Sequence, residues 1–502
     1  MKSIKKIIAL ITSSTFLTQL AIIQPPVSAD TDAYCRLNAQ EIEQKESLRK
    51  SALTDVKYRN NYKDILKKHA NKLRECRRQN WPRTQAIWLR LYACDTRPGV
   101  VEKILDHIVN KGYNQINLEV FYNGQVLIPS QENNTPWPSV LRKPGQEKTD
   151  LLAETITKAH ERGIKVYAWL FTMNFGYSYS QRSDRTTSIA RDGKGNISLQ
   201  VVTDGDQVFI DPYSTQARSD YYNMVQKILS RRPDGILFDY IRYPRQGGSQ
   251  SVASGVKDLW IYSESSMNAL LKRALNKKGK ELIQRYLTKG YISADDIKQV
   301  DDLYPEEASP LWQGRTPSPV ELQLPAEQRQ TWLQWDLWQL SVAHAAQGVL
   351  DFLAIASYQA QQLKIPSGAV FFPEGNQVIG KGYDTRIQPW NNFVSVTEWH
   401  PMAYAVCGQT NSICIASQVQ KVTGQIKTGI SIMPAIAGIW GKSVSDRPSL
   451  EAQMQTIRLM NPGINAVSHF AYSWQYPERD RTRKSCGVDD FDNSPMPLSK
   501  QP

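Results

Sequence analysis

The sequence DGILFDYIRYP, at residues 234–244, combines an apolar run with a cluster of ionisable side chains. Residues 236–238 (ILF) are continuously apolar, which predicts a strand buried on both faces. Asp239 and Arg242 follow, and Pro244 prevents further strand pairing. In a parallel α/β barrel the carboxyl ends of the strands face the ligand, so a carboxylate there suits acid, base or nucleophile chemistry. The alternative is an ion pair between Asp239 and Arg242 that braces the end of the strand.

Strand patterns alternate with helical patterns on both sides of this stretch. The predicted strands lie at residues 86–92, 115–121 and 165–171, then in a fourth that begins at Gly235, and at residues 369–373, 393–405, 429–437 and 464–474. Eight strands with helical connections are most simply an α/β fold of the (β/α)8 TIM-barrel type, with an open doubly wound sheet as the alternative. No strand is followed by a GxGxxG or Walker sequence, so a dinucleotide or phosphate cradle lacks support.

Composition divides the chain into parts with different roles. Three lysines, an apolar stretch and the small residues 27–29 predict that residues 1–29 are a secretory signal peptide, with a retained membrane anchor as the alternative. We therefore expect an exported protein, periplasmic or extracellular, without a transmembrane segment after signal cleavage. The remaining parts are a basic helical arm (30–82), the barrel (83–480) with an insertion after strand 4 (245–330), and a C-terminal tail (481–502).

Six cysteines in an exported chain predict disulfides, and an even number allows all of them to pair. The spacing favours three pairs, which are Cys35–Cys76 around the helical arm, Cys407–Cys414 around a short loop, and Cys94–Cys486. No CxxC, HExxH or HxH motif is present, so no metal or other cofactor is expected.

The chain is basic, with a formal net charge of +13. Residues 36–80 carry 13 Lys and Arg against 6 Asp and Glu. Such an arm outside the cytoplasm predicts attraction to an anionic envelope surface, either a polymer or lipid headgroups. The alternative is a solvated helix face. Nucleic acid is not an expected partner, because the predicted signal peptide directs the chain out of the cytoplasm.

Several stretches together resemble the glycosyl-hydrolase-like family 10, barrel proteins that are secreted or reside in bacterial envelopes. They are QVLIPS (125–130), DLLAETITKAHERGIKVYAWL (150–170), IDPYSTQARSDYY (210–222), DGILFDYIRYP (234–244) and PMAY (401–404). The resemblance covers about residues 84–476. It implies hydrolysis of glycosidic bonds, with peptide-free glycan strands of peptidoglycan as a candidate substrate. It also matches Asp239 and Arg242 to the family's strand-four aspartate and arginine.

Hydrolysis of a glycosidic bond needs two carboxyl groups, one to protonate the leaving oxygen and one to act as nucleophile or base. Asp239 is the first predicted catalytic residue. Glu374, after the fifth predicted strand, and Glu398, in the sixth, are the predicted partners. Glu119 is a further candidate, or else a partner of Arg90 that lines the site.

Aromatic side chains present flat apolar faces that match the C–H faces of sugar rings. The predicted substrate-binding residues are Glu119, Arg90, Trp169, Arg242, Tyr243, Trp399, Tyr404 and Trp474. Core packing is the alternative for each aromatic residue. The sequence thus predicts a glycoside hydrolase that acts on an envelope or extracellular polysaccharide. The rival hypothesis is a catalytically inactive glycan-binding or envelope-structural protein with the same barrel.

Overall fold

The computed structural model describes residues 34–202 and 205–486, and within them eight parallel strands form a closed ring. The strands are β1 (Thr84–Arg90), β2 (Gln115–Tyr122), β3 (Lys165–Phe171), β4 (Gly235–Asp239), β5 (Ser367–Phe371), β6 (Glu398–Ala403), β7 (Ala435–Ala437) and β8 (Ala466–Phe470). Each pairs in parallel with the next, and β8 pairs with β1. The predicted (β/α)8 TIM barrel is confirmed, because a closed ring excludes an open sheet.

Helices precede, surround and follow the ring. Their bounds are α1 (Ala39–Thr54), α2 (Tyr58–Gln79), α3 (Val100–Asn110), α4 (Leu151–His160), α5 (Tyr177–Ser180), α6 (Thr215–Leu229), α7 (Glu264–Leu271), α8 (Lys277–Lys289), α9 (Ala294–Leu303), α10 (Ala326–Gln362), α11 (Ile413–Thr423), α12 (Leu450–Met460), α13 (Tyr472–Gln475) and α14 (Pro477–Ser485). Four of them, α7 to α10, lie in the long connection between β4 and β5. A small antiparallel sheet is formed by Val252–Ala253, Val378–Ile379 and Gly382–Asp384.

The strand β4 follows directly from its sequence. The side chains of Ile236, Leu237 and Phe238 are completely buried, as their continuous apolarity predicts. Gly235 opens the strand because a Cβ atom at this position would lie 2.4 Å from the ring of Tyr167. The strand ends at Asp239, whose carboxylate therefore lies at the carboxyl edge of the barrel.

The helices α1 and α2 pack against the barrel through a buried polar cluster. Tyr62 donates a hydrogen bond to Asp106 Oδ2 (2.7 Å), and Arg162 Nε donates to Asp106 Oδ1 (2.8 Å). Lys45 Nζ lies 3.8 Å from Asp106 Oδ1 and is itself buried. Lys45, one of the basic residues at 36–80, is therefore buried inside the fold close to an acidic partner.

All three predicted disulfides are confirmed: Cys35–Cys76, Cys94–Cys486 and Cys407–Cys414. The first attaches the chain before α1 to the end of α2. The second joins the segment after β1 to the residue that follows α14. Three disulfides are typical of a protein that folds in an oxidising compartment.

The two chain ends differ from the expected division in one respect. The predicted signal peptide, residues 1–29, lies outside the described residues, as do residues 487–502. Residues 481–485, assigned to the tail from the sequence, instead complete α14, and Cys486 follows it. Arg483 in this helix is completely buried and donates to both carboxylate oxygens of Asp95, at 2.9 and 2.6 Å. The buried ion pair fixes this segment to the barrel.

The helix α10 is long and apolar enough to span a membrane by length and composition alone. However, 61% of its most apolar window is buried inside the fold. It packs against α6 and α9. We interpret α10 as a core helix of the barrel layer.

Candidate active site

A cavity of about 550 Å³ opens at the carboxyl ends of the barrel strands. Among the residues that line it are Arg90, Glu119, Trp169, Asp239, Arg242 and Tyr404, all predicted from the sequence. Parallel strands bring their carboxyl ends to the same face, so residues far apart in the chain converge here.

Asp239 is held at the cavity wall by two hydrogen-bond donors. Trp169 Nε1 donates to Oδ2 (3.1 Å), and the backbone N–H of Tyr240 donates to Oδ1 (2.6 Å). Only 6% of Asp239 is exposed. This burial raises its pKa to about 6, against the opposing effects of the Tyr240 N–H, the Arg242 charge and the Trp169 N–H. The carboxyl group therefore changes protonation state close to neutral pH.

Arg242 contacts aromatic rings and backbone. Its Nη1 donates to the carbonyl oxygen of Tyr243 (2.9 Å), and its guanidinium lies 4.6 Å from the centre of the Tyr240 ring. Burial lowers the pKa of Arg242. Its positive charge nevertheless favours the ionised form of Asp239. Arg242 thus influences the carboxylate electrostatically while the ring of Tyr240 orients it.

Glu119 and Arg90 form a forked ion pair beside Asp239. Arg90 Nη2 donates to Glu119 Oε1 (3.1 Å), and Arg90 Nε binds Oε2. Burial raises the pKa of Glu119, and the Asp239 charge adds to this effect, whereas Arg90 opposes it. Arg90 also lies over the ring of Tyr122, 4.2 Å from its centre. Asp239 is therefore close enough to affect the ionisation of Glu119.

The structure does not bring Glu398 to this cavity. It is the first residue of β6, at the amino end of the barrel. Its carboxylate accepts a hydrogen bond from Tyr167 (3.0 Å) and lies 3.0 Å from His400 Nε2. Burial opposes ionisation, but these hydrogen bonds outweigh it and lower the pKa of Glu398. Glu398 faces away from Asp239 because it starts its strand whereas Asp239 ends its own.

Glu374 is close in the chain to the correct end of the barrel, since it follows β5 by three residues. Its carboxylate turns away from the cavity, however, and accepts a hydrogen bond from Gln418 Nε2 (2.6 Å) in α11. It is not among the residues that line the cavity within the described part of the chain. Neither predicted partner of Asp239 therefore lies in the cavity.

Three predicted sugar-binding aromatic residues also lie elsewhere. Trp399 is completely buried against Phe371, and its Nε1 donates to the carbonyl of Phe393 (2.9 Å). Tyr243 is completely buried. Trp474 lies behind Phe470, with ring centres 6.2 Å apart. For Trp399 and Tyr243 the core-packing alternative describes the observed environment, whereas Trp474 is only partly buried and is not among the described residues that line the cavity.

Sequence reasoning missed several residues that line the cavity. They include Trp88, Asn123, Phe171, Asp206, Tyr240, Phe372, Met402 and Phe470. Asp206 lies in the long connection between β3 and α6, where no periodic pattern in the sequence predicts the path of the backbone. Tyr240 follows Asp239 directly in the sequence, and this position could have identified it as a residue of the site. Its positive φ of 54° turns the backbone at the strand end.

No group of three or more His, Cys, Asp or Glu residues in the described ranges has the arrangement of a metal site. The arrangement in the cavity instead provides two buried carboxylates, two arginines and aromatic rings. Such a site can exchange protons and bind hydroxyl-rich molecules.

Residues 85–266 match the model of a family described as glycosyl hydrolase-like 10. The resemblance inferred from the sequence is confirmed. The matched segment includes the strands β1 to β4 and hence Arg90, Glu119, Trp169 and Asp239. This match supports a glycosidase role. PMAY (401–404), which also carried the resemblance, lies beyond the matched segment.

Curated relatives include proteins named glycosyl hydrolase DigH from Escherichia coli strain K12 and from Shigella flexneri. Each is 26% identical over 157 residues, which cover 29% of this chain and 35% of the relative. The similarity thus spans about a third of those proteins. It supports a relationship for that segment.

Among solved structures, the chain is similar to the glycoside hydrolase domain of PgaB (BpsB) from Bordetella bronchiseptica. The TM-score is 0.45 at 13% identity, covering 80% of this chain and 98% of that chain. An α-L-fucosidase isoenzyme 2 from Paenibacillus thiaminolyticus gives a TM-score of 0.42 at 12% identity, covering 77% of this chain and 45% of that chain. The barrel assignment rests on the closed ring of strands, independently of these similarities.

Proposed function

We propose that this protein is an exported glycoside hydrolase that uses Asp239 to cleave glycosidic bonds of an envelope or extracellular polysaccharide. The observation that carries the proposal is the position of Asp239. It ends β4 in a cavity at the carboxyl face of the barrel, with a pKa raised by burial to about 6. Active sites of TIM-barrel enzymes lie at this face, and perturbed carboxyl groups in clefts are frequent catalytic groups.

In this proposal Asp239 acts in its ionised form. The N–H groups of Trp169 and Tyr240 bind its two oxygens, and hydrogen bonds of this kind favour the charged carboxylate. The charge of Arg242 acts in the same direction. An ionised Asp239 can attack the anomeric carbon or remove a proton from the attacking water.

The second carboxyl group is then Glu119 or Asp206, which line the same cavity. Glu119 is buried, and its raised pKa suits a proton donor, although Arg90 holds both its oxygens. Asp206 is exposed in the connection after β3. Separate Glu119→Gln and Asp206→Asn variants distinguish the two. Loss of the proton donor lowers the rate of hydrolysis least for substrates with good leaving groups, so the variant that shows this dependence lacks the donor.

The lining of the cavity also supports a sugar chain as substrate. Trp88, Phe171, Tyr240, Phe372 and Phe470 line it with aromatic surface. Such surfaces pack on sugar C–H faces, while Arg90 and Arg242 can donate hydrogen bonds to hydroxyl groups. The family resemblance suggests peptide-free glycan strands of peptidoglycan as the first substrate to test. The three disulfides support an exported location.

The substrate assay measures release of new reducing ends from three polymers: peptide-free glycan strands, intact peptidoglycan and an unrelated neutral glucan. The proposal expects release from at least one glycan and prefers peptide-free strands over intact peptidoglycan. A purified, folded protein that binds glycans but releases no reducing ends from any of them would favour the rival glycan-binding function.

A further inference from the structure

A second pocket lies on the opposite face of the barrel from Asp239. Its volume is about 280 Å³. Arg83, Asn114 and Gly163 contribute to its wall, and they directly precede or lie just before β1, β2 and β3, respectively. The helix α2 contributes the other wall. The pocket is therefore separate from the candidate active site, which lies at the carboxyl ends of the strands.

Arginines dominate this pocket. Arg74, Arg77, Arg78 and Arg83 all line it, together with Arg162. Arg162 is neutralised by Asp106 and Arg78 by Glu75 (3.0 Å). No carboxylate is among the described residues that line the pocket. Positive charge therefore accumulates here without an acidic partner in the pocket itself.

Arg77 provides a second, independent observation. It is 6% exposed, and its Nη1 donates to the carbonyl oxygen of Pro82 (3.0 Å). Its Nη2 is buried and has no hydrogen-bond partner among the described residues. A buried guanidinium without an anionic partner is unfavourable, because desolvation is not compensated. Burial alone lowers the pKa of Arg77 to about 10.

The wall that presents Arg77 is held in place covalently. Cys76, the preceding residue, forms the disulfide with Cys35. Arg83 Nη1 donates to the carbonyl oxygen of Arg77 (2.7 Å), which connects the two sides of the turn between α2 and β1. The arginines are therefore positioned before any ligand arrives.

We propose that this pocket binds a phosphate group, either free phosphate or a small phosphate monoester. Guanidinium groups match the geometry of phosphate oxygens and form strong charge-assisted hydrogen bonds with them. The volume suits a compact group, because pockets for larger ligands are about 300–1,000 Å³. An anion here would give Arg77 the partner that the protein does not supply.

The test is calorimetric titration of the full chain with inorganic phosphate and, separately, with glycerol 3-phosphate, at physiological salt. The variant Arg74→Gln/Arg83→Gln removes two charges from the rim and spares the buried Arg77. The control Arg59→Gln/Lys63→Gln removes two exposed charges from the same helix, about three to five turns away. Thermal unfolding without ligand verifies that both variants are folded.

The proposal expects saturable binding of at least one phosphate compound. Affinity should fall about tenfold or more in Arg74→Gln/Arg83→Gln and stay within about twofold in the control. Tighter binding of glycerol 3-phosphate than of inorganic phosphate would identify an organic monoester as the preferred source.

Equal weakening in both variants would overturn the proposal in favour of diffuse attraction. Failure of both soluble compounds to bind, or binding only to phosphatidylglycerol vesicles, would also overturn it. No measurement in this test depends on glycoside hydrolysis.

Discussion

The pKa of Asp239 leads to a prediction about the pH dependence of glycan hydrolysis. Burial raises its pKa to about 6, and our account requires the ionised form. The carboxylate is ionised above this pH and becomes protonated below it. We therefore expect kcat/KM for glycan hydrolysis to fall about tenfold per pH unit as the pH decreases below about 6. A rate that instead rises as the pH falls through 6 would assign Asp239 the role of acid.

Trp169 provides a second prediction at the scale of single residues. Its Nε1–H bond to Asp239 stabilises the charged carboxylate and lowers the pKa of that group. Trp169→Phe removes this donor but keeps an aromatic ring in the cavity. The acidic limb of the pH–rate profile should then move upward, by up to about one pH unit. An acidic limb that stays in place would show that this hydrogen bond does not control the ionisation.

Individual site residues were predictable only in part. Asp239 could be identified from the sequence, because the apolar run before it indicates both a buried strand and the carboxyl end of that strand. Glu398 was not correctly located, because the strand begins at this residue rather than ending near it. Glu374 lies at the correct end, but its direction depends on a hydrogen bond to Gln418, which is distant in sequence. A single sequence contains no signal for such a contact.

At the scale of elements, the helices α1 and α2 are part of the barrel's packing as well as a carrier of charge. The hydroxyl of Tyr62 donates to Asp106 and accepts from Arg162 Nη2 (2.6 Å). Tyr62→Phe removes both contacts inside the fold. We expect a loss of about 1–3 kcal/mol in the free energy of unfolding, measured by urea denaturation.

Tyr58→Phe is the matched control for this prediction. Tyr58 opens the same helix, is partly exposed, and its ring lies 5.0 Å from Lys57 Nζ. We expect a change within about 0.5 kcal/mol. Equal losses for the two variants would mean that the Asp106 cluster does not anchor α2.

Elements with strong periodicity were predictable, and the connections were not. The eight barrel strands follow from apolar runs bounded by turn residues. The long connection after β3 contributes Asp206 to the cavity, yet its polar sequence contains no period that fixes its path. The arm at residues 36–80 was predicted to be helical, but the burial of its own residues Lys45 and Arg49 was not. Buried basic residues become apparent only when their partners are known.

At the scale of the whole molecule, the disulfides differ greatly in the length of chain that they close. Cys94–Cys486 spans 392 residues, whereas Cys407–Cys414 spans 7. In the chain-entropy model, a longer closed loop restricts the unfolded state more strongly. Replacing the first pair by serines should therefore cost about 3–4 kcal/mol more in unfolding free energy than replacing the second pair. Comparable losses in denaturant titrations would mean that native contacts, such as Asp95–Arg483, dominate instead.

The barrel also separates the two proposed ligand sites. The carboxyl ends of the strands hold Asp239, and the amino ends hold the arginine pocket beside α2. The number of strands and their parallel order were predictable, because helical connections require parallel neighbours. The pocket was not, since its arginines belong to α2, to the turn after α4 and to the residue before β1, and they meet only after the arm packs.

The central claim is that Asp239 performs the chemistry, and it is tested most directly by comparing two isosteric variants. The measurement is the rate of reducing-end release from the preferred glycan by Asp239→Asn and Glu374→Gln, with folding verified by circular dichroism. We predict that Asp239→Asn loses about 10²- to 10⁴-fold in rate, because the amide keeps the size but not the charge or the basicity. Glu374→Gln should keep most of the rate, because its carboxylate faces Gln418 rather than the cavity. Near-full activity of a folded Asp239→Asn variant would contradict the account.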